Sequence, residues 1–146
     1  FGGGTPTFLA AQTLVEILNL VKQEIDVAPD AEISLEANPE NLCAGFDLEF
    51  LKRGGWNRIS LGAQSFDDGA LKRIGRVHTS TQIEEAFGKA RDAGFQNISL
   101  DLMFALPGQN RESWRDTLGS ALKLKPEHLS CYSLTIEPDT HFARRV

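Results

Sequence analysis

Cysteine is scarce in this chain. Only Cys43 and Cys131 occur, far apart and with no C-x-x-C between them. That excludes a disulfide framework and a complete metal site written within the chain, and a reducing cytoplasm is the default compartment. An excess of positive charge is also missing. Lys and Arg total 15 against 20 Asp and Glu, for a net charge of −5. Nucleic acid is therefore disfavoured as the main partner, since phosphate binding wants a basic face. No apolar run is long enough to span a bilayer, and no signal-peptide pattern stands at the N-terminus. There is no initiator Met. The chain opens on Phe1, which reads as the last residue of a strand, so a piece of a longer protein is expected. What remains is ordinary for one α/β domain: 146 residues, 41% hydrophobic, 24% charged, 13 Gly and 6 Pro.

The stretch Phe1-Gly2-Gly3-Gly4-Thr5-Pro6-Thr7 organises the rest. Glycine lets backbone N–H groups approach a ligand with no Cβ in the way. Thr5 or Thr7 is placed to cap the helix that follows, and Pro6 suits its first turn. Such a loop at a helix N-terminus presents donors to an anionic or zwitterionic group. An ordinary strand-to-helix turn has the same composition.

Helical spacing of Leu14, Ile17, Leu18, Val21 and Ile25 predicts a helix over residues 8–26. A strand is expected over residues 32–37, ended by Asn38-Pro39, then a short helix opened by Asp47 and closed by Gly54-Gly55. The next strand is 58–64, followed by a short helical pattern over 67–74. Thr81-x-x-Glu84 reads as a capping box for a helix through Ile83, Ala86, Phe87, Ala90 and Ala93. A third full strand is expected at 97–104, a helix around Trp114 to Leu122 with Lys123 and Lys125 at its end, and a fourth strand at 129–135. Regular alternation means parallel strands joined by helical crossovers.

Four segments align without gaps: Ile33-Ser34-Leu35-Glu36, Ile59-Ser60-Leu61-Gly62, Ile98-Ser99-Leu100-Asp101 and Leu129-Ser130-Cys131-Tyr132. Strand side chains alternate in direction. Ile and Leu therefore share one face, and the serines share the other with Glu36, Gly62, Asp101 and Tyr132, then Gln64 and Met103. A sheet sandwiched between two helix layers is apolar on both sides. Here one side is small and polar, which fits a barrel or half-barrel with a ligand inside. The polar residues sit at strand C-terminal ends, where α/β barrels keep their sites. Glu36 and Asp101 could bind a ribose diol, an ammonium group or a metal, and Gln64 offers donor and acceptor. Arg76 could clamp a carboxylate. His78 reads more readily as a loop hydrogen-bonder than as a ligand, and Cys43 and Cys131 as plain core or surface residues.

These residues resemble the radical S-adenosylmethionine proteins of the coproporphyrinogen dehydrogenase-like group. The resemblance runs through the opening glycine stretch, Leu35-Glu36-Ala37-Asn38-Pro39 and Ile59-Ser60-Leu61-Gly62-Ala63-Gln64-Ser65-Phe66. It continues through Gly75-Arg76-x-His78, Asp101-Leu102-Met103-x-x-Leu106-Pro107-Gly108-Gln109 and Leu134-Thr135-Ile136-Glu137-Pro138. It is stronger toward the haem chaperone branch than toward the oxygen-independent coproporphyrinogen III oxidase. The family implies an α/β partial (β/α) barrel with S-adenosylmethionine at the strand C-terminal ends, beside a [4Fe–4S] cluster. Carried over position by position, Gly3, Gly4 and Thr5 match the loop at the methionine end of the cofactor. Glu36, Gln64, Arg76 and Asp101 match its contacting side chains: Arg76 for the carboxylate, an acid and the glycine backbone for the ammonium, Asp101 for the ribose. Thr135 borders the adenine in this reading.

The family's C-x-x-x-C-x-x-C cluster loop is absent from this sequence, so no metal ligand is assigned. On the resemblance, residues 1–146 are the central part of the barrel, truncated at its N-terminal side, without first strand, cluster loop or C-terminal region. The expected partners are haem or porphyrin and a haem-accepting protein, with no nucleic acid and no membrane-spanning segment. The enzyme alternative is radical oxidative decarboxylation of coproporphyrinogen III. The strand at 32–37 should have an open edge through which the chain can self-associate.

Overall fold

Glycines and capping side chains set the limits of most elements. The computed structural model describes residues 1–136, 138–139 and 143–144. Glu137 of the quoted 134–138 run lies outside them. A 3₁₀ turn, Pro6–Phe8, leads into α1 (Ala11–Glu24), then β1 (Ser34–Ala37), α2 (Pro39–Cys43) and α3 (Leu48–Arg53). β2 (Arg58–Gln64), α4 (Asp68–Arg73), α5 (Ser80–Asp92), β3 (Ile98–Phe104), α6 (Arg111–Lys123) and β4 (His128–Ser133) follow.

Asp47 caps α3 through Phe50 N–H and Asp67 caps α4 through Ala70 N–H, as their positions before apolar helical patterns require. Two local expectations, both about caps, are corrected, and one short helix is added. Neither Thr5 nor Thr7 caps α1, whose N-cap is Ala10 with no side-chain bond. The Pro6–Phe8 turn intervenes, and the Thr5 hydroxyl instead accepts from Asn38 Nδ2 at 3.1 Å. The capping box of α5 is Thr79 with Gln82, two residues before Thr81 and Glu84. Gln82 N–H donates to Thr79 Oγ1 (3.3 Å) and Thr79 N–H to Gln82 Oε1 (3.0 Å). Gln closes the reciprocal pair as well as Glu does, so the earlier Thr wins and the helix gains length. Asn38-Pro39 ends β1 but also starts α2, because Pro is favoured at a first helical position.

All four strands are parallel, in the order β1-β2-β3-β4. Phe1 is the expected strand stub. Its N–H donates to Ser34 O at 2.6 Å and its carbonyl accepts from Glu36 N–H at 3.0 Å, bracketing Leu35 as a parallel neighbour does. The gapless alignment of the four segments is not the register. Ser60 pairs with Ser99, but Glu36 pairs with Ser60 and Asp101 with Ser130. Each of those two steps is a stagger of two residues, which preserves the faces and is the shear a curving parallel sheet needs.

The helices cover the apolar face. Leu35, Ile59, Leu61, Ala63, Ile98, Leu100 and Leu102 are fully or nearly fully buried beneath Leu14, Leu18, Leu51, Leu71, Ile83 and Phe87. Each large aliphatic side chain buried there contributes about 1.5–3 kcal/mol. Trp56 is wholly buried with Phe1 edge-on at 4.6 Å. The opposite face is polar and carries Ser60, Ser99 and Asp101.

Candidate functional site

At the C-terminal ends of the strands, the polar face opens into a cavity of about 300 Å³. Its walls come from five places: Gly4 and Thr5 of the opening loop; Glu36, Ala37 and Asn38 where β1 runs into α2; Ser60, Gly62 and Gln64 of β2; Arg76 between α4 and α5; and Asp101 of β3. Strand alternation puts Ser60, Gly62 and Asp101 there directly.

Gln64 arrives differently. The register passes from Leu61↔Leu100 to Gln64↔Leu102, so β2 carries one residue more than β3, a β-bulge. Gln64 has φ +64°, and Ser65 N–H donates to Ala63 O at 2.8 Å. This is a tight i→i+2 turn with a non-glycine residue in left-handed backbone, the kind of strain stored at functional sites. The turn leaves Gln64 93% buried, its amide beside Gly62 in the cavity.

Asp101 is oriented by Ser60, whose hydroxyl lies 2.9 Å from both carboxylate oxygens. Beside it stands Tyr132, half exposed, which the sequence placed on this face but did not assign to the site. Partial burial pushes its phenol above the ordinary range, and the Asp101 and Glu36 carboxylates add to that against a Ser130 hydrogen bond. Glu36 folds back over the opening loop, where a methyl on Gly2 would overlap its carboxyl group. Asn38 ties β1 to the loop through Thr5. Arg76 follows Gly75 (φ +77°) and is anchored by its N–H to Leu71 O at 2.9 Å.

Six of the eight expected site residues therefore meet in one cavity: Gly4, Thr5, Glu36, Gln64, Arg76 and Asp101. Gly3, with φ +87°, and Thr135, exposed beyond β4, are not part of its wall. Asn38 was quoted only as a strand end; the Asn-Pro step that stops a strand also aims the amide inward. His78 is buried in the loop role expected of it, with Nδ1 3.0 Å from Glu40 Oε2 and Nε2 3.2 Å from Ala63 O.

The cysteines lie elsewhere. Burial, then the charge of Glu85, raises the Cys43 thiol, and burial raises Cys131, so neither is a ready thiolate. Among the described residues no group of three His, Cys, Asp or Glu could hold a metal ion. Among them, too, no helix is long and apolar enough to cross a membrane.

A parallel β/α sheet with a polar cavity at its C-terminal edge, beside a glycine loop, is the frame on which α/β proteins place ligand sites. Residues 1–121 match the Radical SAM superfamily, and the chain belongs to that superfamily. Over 97% of its length it is 44% identical to the haem chaperone HemW of Bacillus subtilis, and over 99% it is 42% identical to HemW of Escherichia coli. It superposes on the structure of coproporphyrinogen III oxidase HemN from Escherichia coli, a radical SAM enzyme, with a TM-score of 0.84 and 32% identity over 99% of the chain. The chain spans 37–38% of those two HemW proteins and 33% of HemN.

Radical SAM membership implies S-adenosylmethionine and a [4Fe–4S] cluster. The lining fits the former in kind: it combines an arginine, two carboxylates and two carboxamides, and Gly62 leaves open the space a Cβ would fill. The residues of this chain do not fit the latter, which needs cysteine thiolates that Cys43 and Cys131 cannot supply.

Proposed function

We propose that residues 1–146 are the central part of the radical SAM domain of a cytoplasmic haem chaperone. The whole protein would bind haem and deliver it to a haem-dependent acceptor, with S-adenosylmethionine held in the cavity described above. The observation that carries this reading is the convergence of Glu36, Gln64, Arg76 and Asp101 on one cavity beneath the glycine loop. The two free cysteines accord with a reducing compartment, and the net charge of −5 with a partner other than nucleic acid.

In this assignment the Arg76 guanidinium takes the cofactor's carboxylate, where a planar fork gives bidentate hydrogen bonds. The glycine-loop backbone, with Gly3 and Gly4, and a nearby acid meet the ammonium group. Asp101, its oxygens positioned by Ser60, accepts from the ribose hydroxyls. Gln64 offers its amide from the bulge, sharing the remaining contacts with Glu36, and Thr135 lies toward the adenine. The bound cofactor supplies the family's radical chemistry when a cluster stands beside it; this chain's residues supply binding, orientation and exclusion of water.

Isothermal titration of the 146-residue chain with S-adenosylmethionine tests the pocket. Saturable binding is expected, lost in Asp101→Ala and in Arg76→Ala; unchanged binding in both variants would sink the assignment. For the whole protein, haem binding without porphyrinogen turnover is expected. Turnover would instead support the oxidase reading, which the 32% identity to HemN favours less than 42–44% identity to HemW favours the chaperone.

A further inference from the structure

We propose that His78 is a positioning residue for the cavity: its buried ring braces the bulge that aims Gln64 and the loop that carries Arg76. The inference rests on the cofactor site assigned above. His78 is 2% exposed, and both ring nitrogens are engaged. Ala63 O, 3.2 Å from Nε2, can only accept, so Nε2 carries hydrogen. Nδ1 then lies 3.0 Å from Glu40 Oε2.

The ring ties together three segments that each carry residues of the cavity wall. Ala63 lies in the bulge, where the β2–β3 register skips it, and its carbonyl also accepts from Ser65 N–H to close the turn around Gln64. A left-handed non-glycine residue persists only where its surroundings over-determine it. His78 supplies that second hold on the carbonyl. Glu40 sits in the first turn of α2, just after Asn38, which lines the cavity and holds Thr5. Arg76 is two residues before His78 on the same loop. One imidazole thus clamps β2, α2 and the Arg76 loop at the spot where their ligand-facing residues begin. On the neighbouring helices Glu85 pairs with Lys89 at 2.8 Å, and Asp68 accepts from Ser80 N–H at 2.7 Å.

The test compares His78→Ala, Glu40→Ala and Glu40→Gln in the 146-residue chain, by titration with S-adenosylmethionine and by ¹⁵N amide and histidine-ring spectra. Both alanine variants should weaken binding about tenfold or more, the effect of losing a charge-assisted hydrogen bond. Amide signals of Gly62, Ala63, Gln64, Ser65 and Arg76 should move while those of β4 stay. The carboxamide introduced by Glu40→Gln can donate to Nδ1. That variant should therefore recover most of what Glu40→Ala loses. Binding within twofold of the parent in both alanine variants would overturn the proposal. So would a Glu40→Gln variant as weak as Glu40→Ala, or Gln64 signals that do not move. Should His78→Ala fail to fold, the two Glu40 variants decide. If the parent takes up no S-adenosylmethionine, the cofactor assignment fails by itself, and the amide signals still decide the brace.

Discussion

Replacing Gly62 by Ala separates binding from folding. Gly62 is buried on the cavity side of β2, and an added Cβ would lie 3.0 Å from Asn38 Oδ1 and 3.1 Å from Gln64 Nε2. Both are ends of flexible side chains; the nearest backbone atom, Ala37 O, is a comfortable 3.6 Å away. The methyl can be housed if the two amides swing aside, which puts the Asn38–Thr5 hydrogen bond at risk. Losing that bond costs about 0.5–1.5 kcal/mol. The gain from a less flexible unfolded chain is about 0.4–1 kcal/mol. The two nearly cancel, so Tm should stay within about 3 °C of the parent. The ligand enjoys no such freedom, because it needs the space and the two amides in place. Overpacking of about 1–3 kcal/mol falls on the bound state, a loss of roughly five- to 150-fold in affinity. Circular dichroism melting and titration with S-adenosylmethionine read the two quantities on one sample. An unchanged affinity would refute the placing of Gly62 against the ligand. A fall in Tm beyond about 10 °C would refute the claim that the methyl meets only mobile groups.

Thr79→Ala should lower stability by about 1 kcal/mol, a few degrees of Tm, whereas Thr81→Ala should leave it almost unchanged. Burial opposes ionisation of Glu127, but Ile98 N–H at 2.8 Å and the Arg91 guanidinium outweigh it and hold the carboxyl below its usual value. A depressed folded value stabilises above the ordinary glutamate range and is lost as pH falls through the folded value. Glu127→Gln should therefore flatten the acid limb of a stability-versus-pH curve below about pH 4.5 and leave its slope near pH 7 alone. Among the described residues the sheet edge beyond β1 carries only the hydrogen bonds of Phe1, so light scattering should show concentration-dependent association; a monodisperse monomer at all concentrations would refute it.

Much of the architecture was legible from periodicity. β2 appears with the limits read from Arg58-Ile59-Ser60-Leu61-Gly62-Ala63-Gln64, because a seven-residue run bounded by turn residues has one way to be buried. The two faces were legible too, since a side-chain period of two survives any stagger by an even number of residues. That is why Glu36 and Asp101 were placed together although the serine alignment is not the register. Local competition was not legible: Thr79 and Thr81 offer equivalent caps, and only the packed helix chooses.

The alternation of strand and helix, the apolar stripe on each strand and the polar set at strand ends were settled by residue order, because they follow from backbone geometry that every residue shares. The tertiary structure alone decided the bulge at Ala63, the left-handed Gln64, the inward turn of Asn38 and the ring of His78 between two acceptors. Each of these depends on a hydrogen-bond partner from another element, and such a pairing exists only once the chain has closed on itself.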